Sequence, residues 1–280
     1  MKIAVASGKG GTGKTTVSTN LALSLDNVQY LDCDVEEPNS AIFLKPVIEE
    51  KLPVEIPVPV IDEEKCDYCR KCVKMCAFNA LVVLGEKALF FPELCHGCGG
   101  CTWICPQKAI TEQDRIIGTV EKGHAGKIEF IQGLLNVGEP MAPPIIKKQR
   151  SYIKDGKTVI LDSPPGTSCP VIETIRETDF CALVTEPTPF GLNDLVLAVE
   201  TVREIGVPFG VIINQHGIGD DAVDRYCNTE GIEILMRIPW DRRIAEAYSK
   251  GEPAVELFPE MKKDFQQVFS RIQDIVRQAA

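Results

Sequence analysis

The sequence predicts an α/β protein: a mostly parallel sheet covered by helices on both faces, interrupted by one small inserted domain. Three observations carry that expectation. Short β-rich runs alternate with helical stretches towards both ends of the chain, which is the pattern of βαβ units. The first strand runs at once into a glycine-rich turn and a helix. Eight of the twelve cysteines are confined to residues 66–105, where the alternation stops.

Taken in order, Lys2 to Ser7 is the first strand, and Val17, Leu21 and Leu25 recur at helical spacing as the buried stripe of the helix after it. Val28 to Asp34 is the second strand. The pattern resumes with strands at Thr158 to Asp162, Ala182 to Thr185, Phe209 to Asn214 and Ile232 to Ile238, and helices at Leu192 to Ile205, Asp221 to Glu230 and Met261 to Gln278. Between these lies Leu52 to Pro59, proline-rich and extended, which reads as an entry linker. Residues 54–114 then form the insert, and 1–53 with 115–280 the discontinuous main domain. Within the insert two halves repeat at a constant offset of 29, which brings Ala80 onto Ala109 and Leu81 onto Ile110. So small a unit has little apolar core, so bound metal is expected to stabilise it. Gly118 to Gly126 and Phe130 to Val137 are expected to rejoin the sheet, with a loop from Gly138 to Pro144 before a short helix.

Composition excludes several classes. The 280 residues are 44% hydrophobic and 25% charged with a net charge of −10, so the chain is globular, and a general attraction to nucleic acid or anionic lipid is not expected. No run approaches the roughly 18 apolar residues of a membrane span, and Met1 to Ala6 enters a strand with no signal-peptide pattern, so a cytoplasmic location is expected. The C-terminal stripe Phe265, Val268, Phe269, Ile272, Ile275 and Val276 is amphipathic, but its flanking charges nearly balance. A membrane-surface helix wants a basic polar face, so this one is expected to dock on the protein's own sheet.

Gly8-Lys9-Gly10-Gly11-Thr12-Gly13-Lys14-Thr15 satisfies G-x-x-x-x-G-K-[ST] directly between a strand and a helix. Its backbone N–H groups would wrap phosphates, Lys14 would reach the outer phosphates, and the Thr15 hydroxyl would hold Mg²⁺. Lys9 is a second lysine that an ordinary loop of this kind does not need. It reads either as a solvated side chain or as a cation reaching a phosphate across a dimer interface.

The eight clustered cysteines fall in two identical strings, Cys66-x2-Cys69-x2-Cys72-x3-Cys76 and Cys95-x2-Cys98-x2-Cys101-x3-Cys105. This is the two-cluster spacing in which the fourth cysteine of each string ligates the other cluster. Cys66, Cys69, Cys72 and Cys105 are expected to hold one [4Fe-4S] cluster, and Cys95, Cys98, Cys101 and Cys76 the other. Zinc ribbons instead have two pairs separated by a longer gap. Pro106 follows Cys105 as the pattern expects, whereas Ala77 follows Cys76. Cys33, Cys181 and Cys227 read as buried small hydrophobes. Cys169 is weighed as a ligand between subunits, with an inert thiol preferred.

Here a family resemblance becomes specific. Lys9 to Thr16 resembles the deviant Walker motif of the superfamily of the nitrogenase iron protein, MinD, ParA and Mrp. Leu31 to Asn39 resembles its second acidic motif, Val159 to Thr167 its Walker B segment, and Val211 to Asn214 the strand whose asparagine reads adenine. The subgroup with an inserted ferredoxin domain is similar over nearly the whole chain. The resemblance implies an ATPase that dimerises on ATP, with Gly8, Lys9, Gly10, Gly11, Thr12, Gly13, Lys14, Thr15, Thr16 and Asn214 around the nucleotide. It implies Lys9 in the partner's site, Mg²⁺ near Thr15, Asp32 and Asp162, and Asp34 orienting or deprotonating the attacking water. The implied function is ATP hydrolysis coupled to electron transfer through two clusters to an unidentified redox or client protein. An iron–sulfur carrier and a positioning ATPase of the MinD kind are the alternatives.

Overall fold

Strands that are apolar on both sides of the chain become the centre of a sheet, because only a doubly covered strand buries both faces. The computed structural model describes residues 1–279. β1 (Lys2–Ala6) enters the phosphate loop and α1 (Lys14–Ser24), and β2 (Val28–Asp32) leads to the short α2 (Ser40–Leu44). β3 (Val47–Ile61) carries the chain outward to α3 (Lys71–Met75), the hairpin β4 (Leu81–Leu84) and β5 (Lys87–Phe90), and α4 (Gly100–Ile104); β6 (Ile110–Ala125) returns it. β7 (Ile128–Leu135), α5 (Pro143–Arg150), β8 (Thr158–Asp162), α6 (Cys169–Ile175), β9 (Phe180–Thr185) and α7 (Pro189–Ile205) follow. The chain closes with β10 (Phe209–His216), α8 (Ala222–Thr229), β11 (Ile234–Pro239), α9 (Arg242–Ser249), α10 (Ala254–Leu257) and α11 (Pro259–Ala279).

Nine strands form one sheet in the order β11-β10-β9-β1-β8-β2-β7-β6-β3. Neighbours from β11 to β7 pair in parallel, and β6 and β3 add antiparallel at the edge. The order reverses at β1, which has β8 on one side and β9 on the other. A crevice therefore opens at the carboxyl ends of these strands, where α/β sheets bind ligands.

Leu52 to Pro59 is no linker. It is the middle of β3, paired residue by residue with β6. Pro53, Pro57 and Pro59 lack the N–H that a central strand needs, and the sheet accommodates them by placing β3 at its edge. β6 likewise starts well before Gly118, because pairing to β3 fixes the polar run Thr111 to Arg115 as strand despite its lack of alternation.

Three apolar cores follow from this layering. α1, α10 and α11 cover one face, where α11 buries Met261, Phe265, Val268 and Ile272 against the sheet as its stripe predicts. α6, α7 and α8 cover the other. A third core beneath α5 joins Leu31, Cys33 and Val35 to Ile56, Val58, Ala80 and Cys95, so the cysteine-bearing segment is packed onto the sheet.

That segment is internally repeated in conformation as well as in sequence. The offset of 29 takes α3 onto α4 and takes the left-handed residues Tyr68, Arg70 and Asn79 onto Gly97, Gly99 and Lys108. It also takes the Asp62 N–H to Ala109 carbonyl bond (2.8 Å) onto its counterpart from Phe91 to Ala80 (2.9 Å).

Candidate functional site

The loop between β1 and α1 is fixed by backbone geometry. Gly13 caps α1 at φ 92°, and a Cβ there would lie 2.3 Å from Asn214 Nδ2, so only glycine fits. Gly8 passes against the Asp194 carbonyl on α7, where a Cβ would lie at 2.0 Å. Asn214, at the end of β10, donates its amide to the Thr12 carbonyl at 2.9 Å and thereby holds the loop. A cavity of about 460 Å³ opens beside it, lined by Gly10, Gly11, Gly13, Lys14, Thr15, Thr16, Asp34 and Asn214. Its far wall adds Pro239, Trp240, Ile244 and Tyr248, an apolar surface to which no sequence motif pointed.

Lys14 is 7% exposed, and burial lowers its pKa against the opposing pull of Asp162 and Asp34. Asp162 ends β8 directly beside Asp32 at the end of β2. Burial, then the Asp162 charge, pushes the Asp32 carboxyl up; burial pushes Asp162 up too, with the Asp34 charge adding to it, while the Thr15 hydroxyl and Lys14 draw it back. Tyr30 donates to Asp162 Oδ2 at 3.1 Å, and Asp162 Oδ1 is buried with no partner among the described residues. An orphaned carboxylate oxygen beside Thr15 fits a cation carried in with phosphates.

Asp32 differs from Asp162. Its oxygens accept the Ser40 hydroxyl, the Ser40 N–H at 3.0 Å and the Asp34 N–H at 3.2 Å, so it braces the turn that presents Asp34. Asp34 lines the cavity, and burial followed by the Asp32 charge pushes its pKa up to about 6 against Lys14. Lys9 is ion-paired with Glu186, which follows β9. Nothing in the sequence singles out Glu186 or Tyr30, because their roles arise from contacts distant in the chain, and Ser40, eight residues from Asp32, belongs to no motif.

The eight clustered cysteines are brought together four and four. Cys66, Cys69, Cys72 and Cys105 line one small cavity; Cys76, Cys95, Cys98 and Cys101 line a second with Phe78 and His96. Cys76 and Cys105 each accept a backbone N–H on sulfur at 3.3 Å, from Ala80 and Ala109, and Cys95 accepts that of Gly97 at 3.5 Å. Among the described residues no three His, Cys, Asp or Glu side chains converge as a site for a single metal ion. Thiols ringed around a space, with N–H groups directed at sulfur, fit an iron–sulfur cluster held by thiolates. Cys33, Cys181 and Cys227 are buried, with pKa values raised by burial, and Cys169 is exposed at the start of α6.

A phosphate loop at the switch point of a mostly parallel sheet defines a nucleotide-binding α/β protein. The chain belongs to the CobQ/CobB/MinD/ParA nucleotide binding domain family, whose profile it matches over residues 3–254. It is 33% identical to an uncharacterized protein of Methanocaldococcus jannaschii, covering 90% of each chain. It is 27% identical to an iron-sulfur cluster carrier protein of Aquifex aeolicus, covering 98% of this chain and 67% of that one. In fold it is similar to the septum site-determining protein MinD of Pyrococcus horikoshii, with TM-score 0.58, 18% identity and coverage of 95% and 93%. Among the described residues no helix is long and apolar enough to cross a membrane.

Proposed function

We propose that the protein is an ATP-hydrolysing homodimer whose nucleotide state governs two [4Fe-4S] clusters held in an inserted ferredoxin-like domain, residues 54–114. The observation that carries this reading is the placement in one chain of a P-loop cavity and two cysteine quartets, with Val35, next to the cavity-lining Asp34, and Cys95 of one quartet in the same apolar core. In it, Lys14 and the loop amides hold the phosphates of ATP, Thr15 and Asp162 hold Mg²⁺, and Asp34 orients the water. Mg²⁺ supplies neutralisation of phosphate charge. Lys9 leaves Glu186 for the partner's site when two chains close on ATP. Cys66, Cys69, Cys72 and Cys105 hold one cluster, and Cys76, Cys95, Cys98 and Cys101 the other. The clusters supply one-electron storage. The sorted quartets favour retained clusters, and therefore electron transfer to a redox partner protein.

Relatives named iron-sulfur cluster carrier proteins favour a second reading, in which the ATPase delivers clusters to a client. One experiment separates the two. Chain loaded anaerobically with radioactive iron is mixed with an apo-ferredoxin acceptor, with and without Mg-ATP. Iron that stays with the chain, while its dithionite-reduced clusters pass electrons to an added oxidised holo-ferredoxin, supports electron transfer. ATP-dependent passage of iron to the acceptor supports carriage. A chain that binds no iron contradicts both.

A further inference from the structure

Asp34, Glu37 and Asn39 line the nucleotide cavity, and a continuous series of contacts leads from the residue after Asp34 to a cluster cysteine. The Val35 carbonyl accepts the Leu135 N–H at 2.8 Å where β7 ends. The next residue, Asn136, donates its N–H to the Ile117 carbonyl of β6 at 2.9 Å and accepts that of Glu139 at 3.1 Å. The Glu139 carboxylate takes both terminal nitrogens of Arg115, with Nη2 at 2.8 Å. The same Nη2 donates to the Pro92 carbonyl at 3.1 Å, and that carbonyl also accepts the Cys95 N–H at 3.1 Å.

The ion pair in this series is largely withdrawn from solvent, with Arg115 24% and Glu139 11% exposed, so salt screens it less than a surface pair. Val35, Ala142 and Cys95 belong to one apolar core alongside it. Only a planar fork with several fixed donors serves a carboxylate and a carbonyl together; a lysine at 115 has one nitrogen to place.

We propose that Arg115 is a positioning residue that carries displacement of the Asp34–Asn39 segment, when nucleotide fills the cavity, to the backbone of Cys95. The inference rests on the reading that both sites belong to one working cycle, and it names the connection between them. It acts on the cluster lined by Cys95; the Cys66 quartet has no comparable tie to the Glu139 turn.

The test is hydrogen exchange followed by mass spectrometry on the full chain, with and without the analogue AMP-PNP and Mg²⁺. In the wild type, nucleotide changes exchange both in the phosphate loop and in peptides spanning Pro92 to Gly99. Arg115→Lys and Glu139→Gln keep the change in the loop, which shows that nucleotide binds, and lose it at Pro92 to Gly99. If either variant retains the wild-type change there, or if the wild type binds nucleotide with no change there, the connection is overturned. This readout needs no iron, so a chain that binds none defeats the iron–sulfur reading while the connection is still judged. In iron-loaded protein, Arg115→Lys also loses the nucleotide-dependent change in the paramagnetic resonance spectrum at unchanged iron content.

Discussion

Buried Lys14 and Asp162 balance each other's charge, and half-buried Asp34 adds a second carboxylate facing Lys14. Lys14→Ala removes the cation that faces the phosphates, and binding of an ATP analogue by calorimetry is expected to fall at least about 100-fold. Asp34→Ala leaves analogue binding within a few-fold and lowers kcat by about two to four orders of magnitude, the usual cost of losing a positioned base. Lys9 gives a different test. It is neutralised within its own chain by Glu186, so Glu186→Gln is expected to shift ATP-dependent dimerisation to lower protein concentration in sedimentation, and Lys9→Ala to abolish it. The motif residues were legible because phosphate chemistry demands them at fixed spacing. Tyr30, Glu186 and Arg115 were not, since no local pattern marks a side chain whose partner lies far along the chain.

At the scale of elements, strands and helices with strong periodicity appear where the pattern placed them. β8 matches its expected bounds, and α11 buries the anticipated stripe. Phe265 is fully buried within it, so Phe265→Ala is expected to destabilise the chain by about 3–5 kcal/mol in denaturant unfolding. What misled was proline. Three prolines in one run read as linker, yet an edge strand with a free side tolerates them, and only the position of β3 in the sheet decides between the two. The short α2, α6 and α10 span at most seven residues each, too few to establish a helical period. The 29-residue repeat was legible in the cysteine spacing, and the structure extends it to the left-handed turn residues. Cys76→Ser is expected to leave one quartet intact and reduce iron from about eight to about four per chain, measured by colorimetric assay after anaerobic reconstitution.

For the whole molecule, the decisive feature is that the nucleotide crevice and the cysteine segment share one packed core. A segment hung on a flexible linker would be free of the rest of the molecule; β3, β6 and the core around Val35 and Cys95 instead tie the cysteine segment to the sheet beside the crevice. Ligand binding shifts a distant group only where the two states differ in contacts with both; the Asp34 turn, which lines the cavity, is where the proposed difference falls. The most direct measurement is an anaerobic redox titration followed by electron paramagnetic resonance, with and without a non-hydrolysable ATP analogue and Mg²⁺. A nucleotide-dependent shift in potential or line shape is expected. Identical titrations and spectra in both conditions, from protein shown to bind the analogue and to hold its iron, would contradict it.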